Sequence, residues 1–108
     1  MSADSHKLLR ERVPEAPIVL LAKAPKGNER SLIIQNFHID GEFVIPLFSS
    51  EKAFRESTQG VDLGPAVAID RGLLASVLHG DEIFLLDPRL PSELRFDAVE
   101  FRQAFPEL

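Results

Sequence analysis

Apolar and polar positions alternate along the chain in short blocks, each closed by turn residues. The opening stretch, Met1 to Pro17, is polar. Within it Leu8, Leu9 and Val13 suit one face of a short helix, for which Ser5 is the expected cap. Pro14 and Pro17 end that segment, because proline lacks an amide donor and restricts the residue before it. Ile18-Val19-Leu20-Leu21 is an unbroken apolar run and reads as a buried strand. Ala24 to Ser31, with Pro25, Gly27 and Asn28 among charged neighbours, reads as an exposed loop.

Leu32 to Phe48 holds two apolar, β-branched runs either side of Asp40-Gly41, a dipeptide suited to a turn whose two central residues need positive φ. A two-residue turn sets Ile39 opposite Glu42, His38 opposite Phe43 and Phe37 opposite Val44. Phe43, Ile45 and Leu47 then share one face, with Val44 and Phe48 on the other. Pro46 is expected at a strand end, a bulge or the sheet edge, since it cannot donate to a ladder.

Ser49-Ser50 offers hydroxyl caps for a helix to about Gln59, with Glu51 in its first turn, Ala53 and Phe54 inward, and Gly60 as terminator. Ala66 to Ile69 is a short strand. Asp70 caps a helix carrying Leu73, Leu74, Val77 and Leu78, which His79-Gly80 closes. Ile83 to Leu86 is another strand, ending at Asp87-Pro88. Asp97 and Glu100 form a capping pattern for a last helix whose stripe is Ala98, Phe101 and Phe105. This order predicts one α/β (α+β) domain over residues 18–108: a mixed β-sheet with an antiparallel hairpin and about three packed helices, preceded by an arm or short helix over 1–17.

Composition narrows the functional classes. The 108 residues carry Lys+Arg 12 against Asp+Glu 17, a formal charge of −5, which is not the balance of a nucleic-acid binder. There is no cysteine, hence no disulfide, thiolate ligand or cysteine nucleophile. No apolar run reaches the length of about 20 residues that a membrane span needs, and Met1 to Arg12 does not read as a signal peptide.

Candidate chemistry is sparse. His79, Asp81 and Glu82 lie close enough in sequence to supply three metal or ligand contacts, yet their spacing matches no established ligand motif. The plainer reading puts His79 in the last turn of a helix, against the negative end of its dipole, with Gly80 just beyond. His38 and Asp40 would make a proton-transfer pair, but polar residues at a hairpin tip need no function. His6 lies in the terminal stretch. Ser49 and Ser50 lack the glycines of a nucleophile elbow, and any anion there would rest on helix-terminal amides alone. Lys23, Lys26 and Arg30 form a loop surface suited to solvent or an acidic partner. The phenylalanines read mainly as core. Phe96 falls outside the last helix's stripe and is the candidate for a protein-binding contact.

The run Phe43-Val44-Ile45-Pro46-Leu47-Phe48-Ser49-Ser50-Glu51, with Ala53 and Phe54 after it, resembles the signature of the SseB N-terminal domain family, named from enhanced serine sensitivity. The helix bearing Leu73, Leu74 and Val77, then Gly80 and Ile83 to Pro88, is similar as well; Asp87 stands where the family usually has asparagine. The resemblance runs from Ile18 to Phe105. It implies an α/β fold in a bacterial, cytoplasmic protein and supplies no catalytic residues.

The expectation is therefore a non-enzymatic protein-binding or regulatory module, using an apolar patch that includes Phe96 or hairpin residues to hold a protein partner or a second copy. No cofactor, nucleic acid or membrane is implied. The alternatives are a small-ligand or metal-binding protein built on His79, Asp81 and Glu82, joined by His38, or a structural subunit of a larger assembly.

Overall fold

A computed structural model describes residues 3–23 and 33–108; the expected loop from Ala24 to Ser31, with Lys26 and Arg30, lies outside them. Among the described residues the chain runs α1 (Ala3–Arg12), β1 (Ile18–Lys23), β2 (Ile33–Ile34), β3 (Phe37–Ile39), β4 (Glu42–Phe48), α2 (Glu51–Thr58), β5 (Ala66–Ile69), α3 (Arg71–Ser76), β6 (Ile83–Leu86), β7 (Leu94–Asp97) and α4 (Ala98–Ala104). The seven strands form one mixed sheet: β4 and β6 pair in parallel, and every other pairing is antiparallel.

Side chains on one face of the sheet make the main core. Ile18 and Leu20 of β1, Ile45 and Leu47 of β4, Phe84 and Leu86 of β6 and Phe96 of β7 pack there beneath Leu9 and Val13 of the N-terminal segment, Leu74 of α3 and Phe101 of α4. Phe84, Phe96, Phe101 and Phe105 form a continuous aromatic row with successive centroids 5.3, 6.2 and 5.1 Å apart. On the opposite face Val19, Val44 and Phe48 are also buried, and Phe48 meets Phe54 of α2 edge-on at 4.9 Å. Both faces of β1 and β4 are thus covered. That is why Ile18 to Leu21 reads as a continuous apolar run and not as an alternating one.

The hairpin forms in the register its turn dictates: Phe37 faces Val44, His38 faces Phe43 and Ile39 faces Glu42. Asp40 and Gly41 both take positive φ, 50° and 83°. Ile33-Ile34 does not prolong this hairpin. It forms β2 and pairs with Ala22 and Lys23 of β1. The chain then shifts from β1 to β4, filling the wedge where those two strands part beyond Leu20 and Leu47.

Pro46 lies at that same parting. It sits mid-strand, opposite Leu85 of β6, and not at an end, a bulge or the sheet edge. The Leu47 carbonyl accepts from the Asp87 N–H on the β6 side, so by alternation the Pro46 nitrogen points the other way. There the pairing of β3 has stopped at Val44 and that of β1 begins at Leu47, so no ladder donor is needed.

Three further expectations are corrected. Helix α1 begins at Ala3, so Ser5 lies within it and does not cap it. Helix α3 stops at Ser76. Val77 and Leu78 donate to Leu74 and Ala75 three residues back, a tighter turn that still buries Leu78, and His79 lies beyond any helix. Strand β7 was not foreseen; it carries Phe96 into the core, where that side chain is 1% exposed and pairs with Phe84. Phe96 is therefore part of the core and not of an exposed apolar patch.

The caps hold as expected. Ser50 accepts from the Ala53 N–H and Asp70 from the Leu73 N–H, while Asp97 and Glu100 exchange the two bonds of a capping box.

Candidate functional site

The face that carries α2 is only partly covered. Helix α2, eight residues and about 12 Å long, packs on this face through the Phe54 contact with Phe48. Leu85, on that face, is left half-buried beside Pro46. The uncovered strip is a groove of about 340 Å³. Its walls are Phe37 and Ile39 of β3 on one side and Val61 and Leu63, which follow α2, on the other. Pro46, Phe48 and Leu85 line it from the sheet, and Pro88, Arg89 and Glu93 from the chain that follows β6. Ile39, Val61 and Leu63 are exposed along it.

Two buried hydroxyls line the groove from the last turn of α2. Ser57 donates to the Pro88 carbonyl, tying the helix to the exit of β6, and Thr58 donates to the Phe54 carbonyl at 2.8 Å. Neither residue carries a sequence signal beyond its place in a helix; their burial follows from where α2 lands on the sheet.

At the carboxyl ends of the parallel strands β4 and β6, Phe48 and Pro88 line the groove, and Ser49 and Asp87 lie next to them in the chain. Asp87, 3% exposed, accepts from the Ser49 N–H at 2.8 Å and from the Ser49 hydroxyl at 2.7 Å. An Arg12 nitrogen stands 4.0 Å from the same carboxylate and also donates to the Ser92 carbonyl. Asp87 itself has φ 49°, a left-handed conformation that Asp and Asn accept more readily than other residues. Near the start of α2 the Ser49 N–H is held by Asp87 and the Ala53 N–H by the Ser50 hydroxyl, so these two donors are taken by the protein's own groups.

The other sequence candidates are not brought together. Both Glu82 carboxylate oxygens are engaged by backbone, accepting from the His79 N–H at 2.6 Å and the Gly80 N–H at 2.8 Å, and Asp81 is exposed. Burial pushes the Glu82 carboxyl up, but the amides of His79, Gly80 and Glu82 itself and the nearby His79 charge outweigh it and hold the group below the usual carboxylate value. Among the described residues no set of three His, Asp or Glu side chains is arranged to hold a metal ion. His38 is exposed near the hairpin tip, apart from His79, Asp81 and Glu82, and is among the residues lining the groove; its ring centroid is 4.9 Å from that of Phe43, which is itself 68% exposed. The sequence placed Phe43 with Ile45 and Leu47; it does share their face, but the hairpin carries it past the core.

Among the described residues no helix is long and apolar enough to cross a membrane. Neither a curated protein nor a solved structure matches the chain. The family model described as SseB protein N-terminal domain matches residues 5–103, taking in most of α1, the whole sheet and the Ser49–Asp87 junction. The chain belongs to that family.

Proposed function

We propose that this domain is a non-enzymatic protein-binding module of the cytoplasm and that the groove between β3, β6 and the end of α2 is its binding surface. The observation that carries this reading is the apolar groove itself: a concave strip of about 340 Å³ with Ile39, Val61 and Leu63 standing exposed along it. Its polar residues suit recognition better than catalysis. The Ser57 and Thr58 hydroxyls are tied to backbone carbonyls, and no base stands beside either in the hydrogen bonds described.

Selection of displayed peptides on the immobilised domain tests this. The wild-type protein should enrich sequences with an apolar centre, and Val61→Glu, which places a charge on an exposed wall position, should lose them. Enrichment of nothing, or of the same peptides by both proteins, would overturn the proposal. Sizing over a range of concentrations separates a foreign partner from a second copy, since a second copy in the groove would give a Val61→Glu-sensitive dimer.

A further inference from the structure

We infer that the free edge of β5 pairs with the same edge of a second copy of this chain, joining two sheets across a two-fold axis. β2 and β3 fill the wedge between β1 and β4, so the sheet's outer strands are β5, held by β1, and β7, held by β6. The Ala22 N–H donates to the Pro65 carbonyl at 3.1 Å, in line with the register that sets Leu20 opposite Val67 and Ile18 opposite Ile69. Antiparallel strands alternate bonded and non-bonded pairs, so Val67 and Ile69 turn their backbone groups toward β1. Ala66 and Ala68 turn theirs outward. Both alanines are exposed, and among the described residues nothing bonds to those outward groups.

The edge of β7 is guarded. The same alternation, read from the Ala98 N–H donating to the Glu82 carbonyl, turns Arg95 and Asp97 outward, and the Glu100 side chain already takes the Asp97 N–H. β5 has no such guard. Ala66 to Ile69 contains no charge, proline or bulge, the devices that keep edge strands apart, and its outward residues carry only methyl groups. The Asp62 carboxylate holds the Gly64 N–H at 2.9 Å and the Asp70 carbonyl accepts from the Leu74 N–H, so the free stretch is bounded at Ala66 and Ala68.

Such an edge is satisfied by another strand, and the second copy supplies one whose free groups match it. A two-fold axis at Val67 sets Ala66 opposite Ala68 of the second copy, and Ala68 opposite its Ala66. Each of these pairs exchanges both N–H···O=C bonds, so every outward group of the stretch is used. Val67, half-buried against the core, then meets its own counterpart as a non-bonded pair, the kind whose side chains stand closer, and the two cores become continuous. Each chain carries a charge of −5, yet none of it lies in this strand to set like charges directly opposite.

Sedimentation equilibrium and the backbone amide spectrum of the intact protein, followed over the same concentrations, test this. A dimer should form with half-association near about 0.1–1 mM, the weak end expected of a small interface. The amides of Ala66 and Ala68 should shift with the same midpoint, and those of Val67 and Ile69, already bonded to β1, should change less. Ala68→Pro takes away one outward donor and none from the β1 ladder. It should weaken association at least about tenfold while unfolding in urea as a single transition. A monomer at every concentration would overturn the inference, and so would a dimer that Ala68→Pro leaves intact. A dimer lost in Val61→Glu and kept in Ala68→Pro would place the second copy in the groove and not at the edge. If Ala68→Pro fails to fold, the wild-type amides decide: shifts centred on Ala66 and Ala68 uphold the edge, and shifts centred elsewhere reject it. A monomer whose Ala66 and Ala68 amides respond only to an added peptide would give the edge to a foreign strand and overturn the second copy.

Discussion

The Asp87 carboxylate holds both the N–H and the hydroxyl of Ser49, at 2.8 and 2.7 Å, across a separation of 38 residues. One side chain thereby joins the ends of two parallel strands just before the Ser50 cap of α2. The residues that carry the family resemblance, Phe48-Ser49-Ser50 and Asp87-Pro88, are the two halves of this junction. An asparagine at position 87 would preserve it, with its oxygen accepting the Ser49 N–H and its NH₂ donating to the hydroxyl.

Asp87→Ala should be among the more damaging single changes, losing two hydrogen bonds at a buried site and a residue suited to positive φ. A loss of about 2–4 kcal/mol is expected in urea unfolding. Asp87→Asn should stay within about 1 kcal/mol of wild type, since it gives up only the charge facing Arg12 at 4.0 Å. Equal losses in the two variants would show that the charge, not the hydrogen-bond pattern, holds the junction.

Phe96 and Phe43 should separate core from surface. Phe96→Ala removes a ring enclosed between Phe84 and Phe101 and should cost about 3–5 kcal/mol. Phe43→Ala acts at a position 68% exposed, where only the contact with the His38 ring is lost; a change within about 0.5 kcal/mol is expected. Comparable losses would mean that the hairpin tip is part of the core.

These residues also show what could be read from sequence. Asp40-Gly41 and Asp97/Glu100 were legible because their signals are local: a turn needing positive φ, and a side chain reaching an amide three residues on. Phe96 was misjudged because Leu94-Arg95-Phe96-Asp97 is too short to declare itself a strand. Its burial is decided by pairing with β6, a tertiary fact. The end of α3 was misplaced because Val77 and Leu78 keep helical spacing while the backbone has tightened to bonds three residues back. The groove was hidden for another reason. Its lining comes from β3, β4, α2, β6 and the turns that follow α2 and β6, and no single segment records how these meet.

The capping box of α4 offers a smaller, cleaner effect. Asp97→Ala removes the bond to the Glu100 N–H, 2.7 Å, and leaves the Glu100 side chain to hold the Asp97 N–H alone. About 1 kcal/mol should be lost, read as a lower midpoint in urea at unchanged slope. Asp97→Ser, which can still cap, should recover most of it. A lower slope in the alanine variant would instead mean that α4 had detached and that folding was no longer all-or-none.

Glu82 gives the pH dependence its sign. Burial raises the carboxyl's pKa, but the His79, Gly80 and Glu82 amides and the His79 charge lower it further, so in the folded chain it lies below the unfolded value of about 4.3. A folded-state pKa below the unfolded one means that the unfolded chain takes up the proton first as acid is added. The stability due to Glu82 is thus fully present above about pH 4.3 and is lost as pH falls through the folded value. Glu82→Gln keeps one acceptor for the His79 and Gly80 amides but cannot titrate. It should be less stable than wild type at pH 7, and the difference should shrink as pH is lowered from 7 into the acid range below about 4.3, through the folded carboxyl's own lowered pKa. Urea midpoints of the two proteins, measured between these values, check this. A gap that stays constant would show that the loop from His79 to Glu82 is held by packing and that its carboxylate charge contributes nothing.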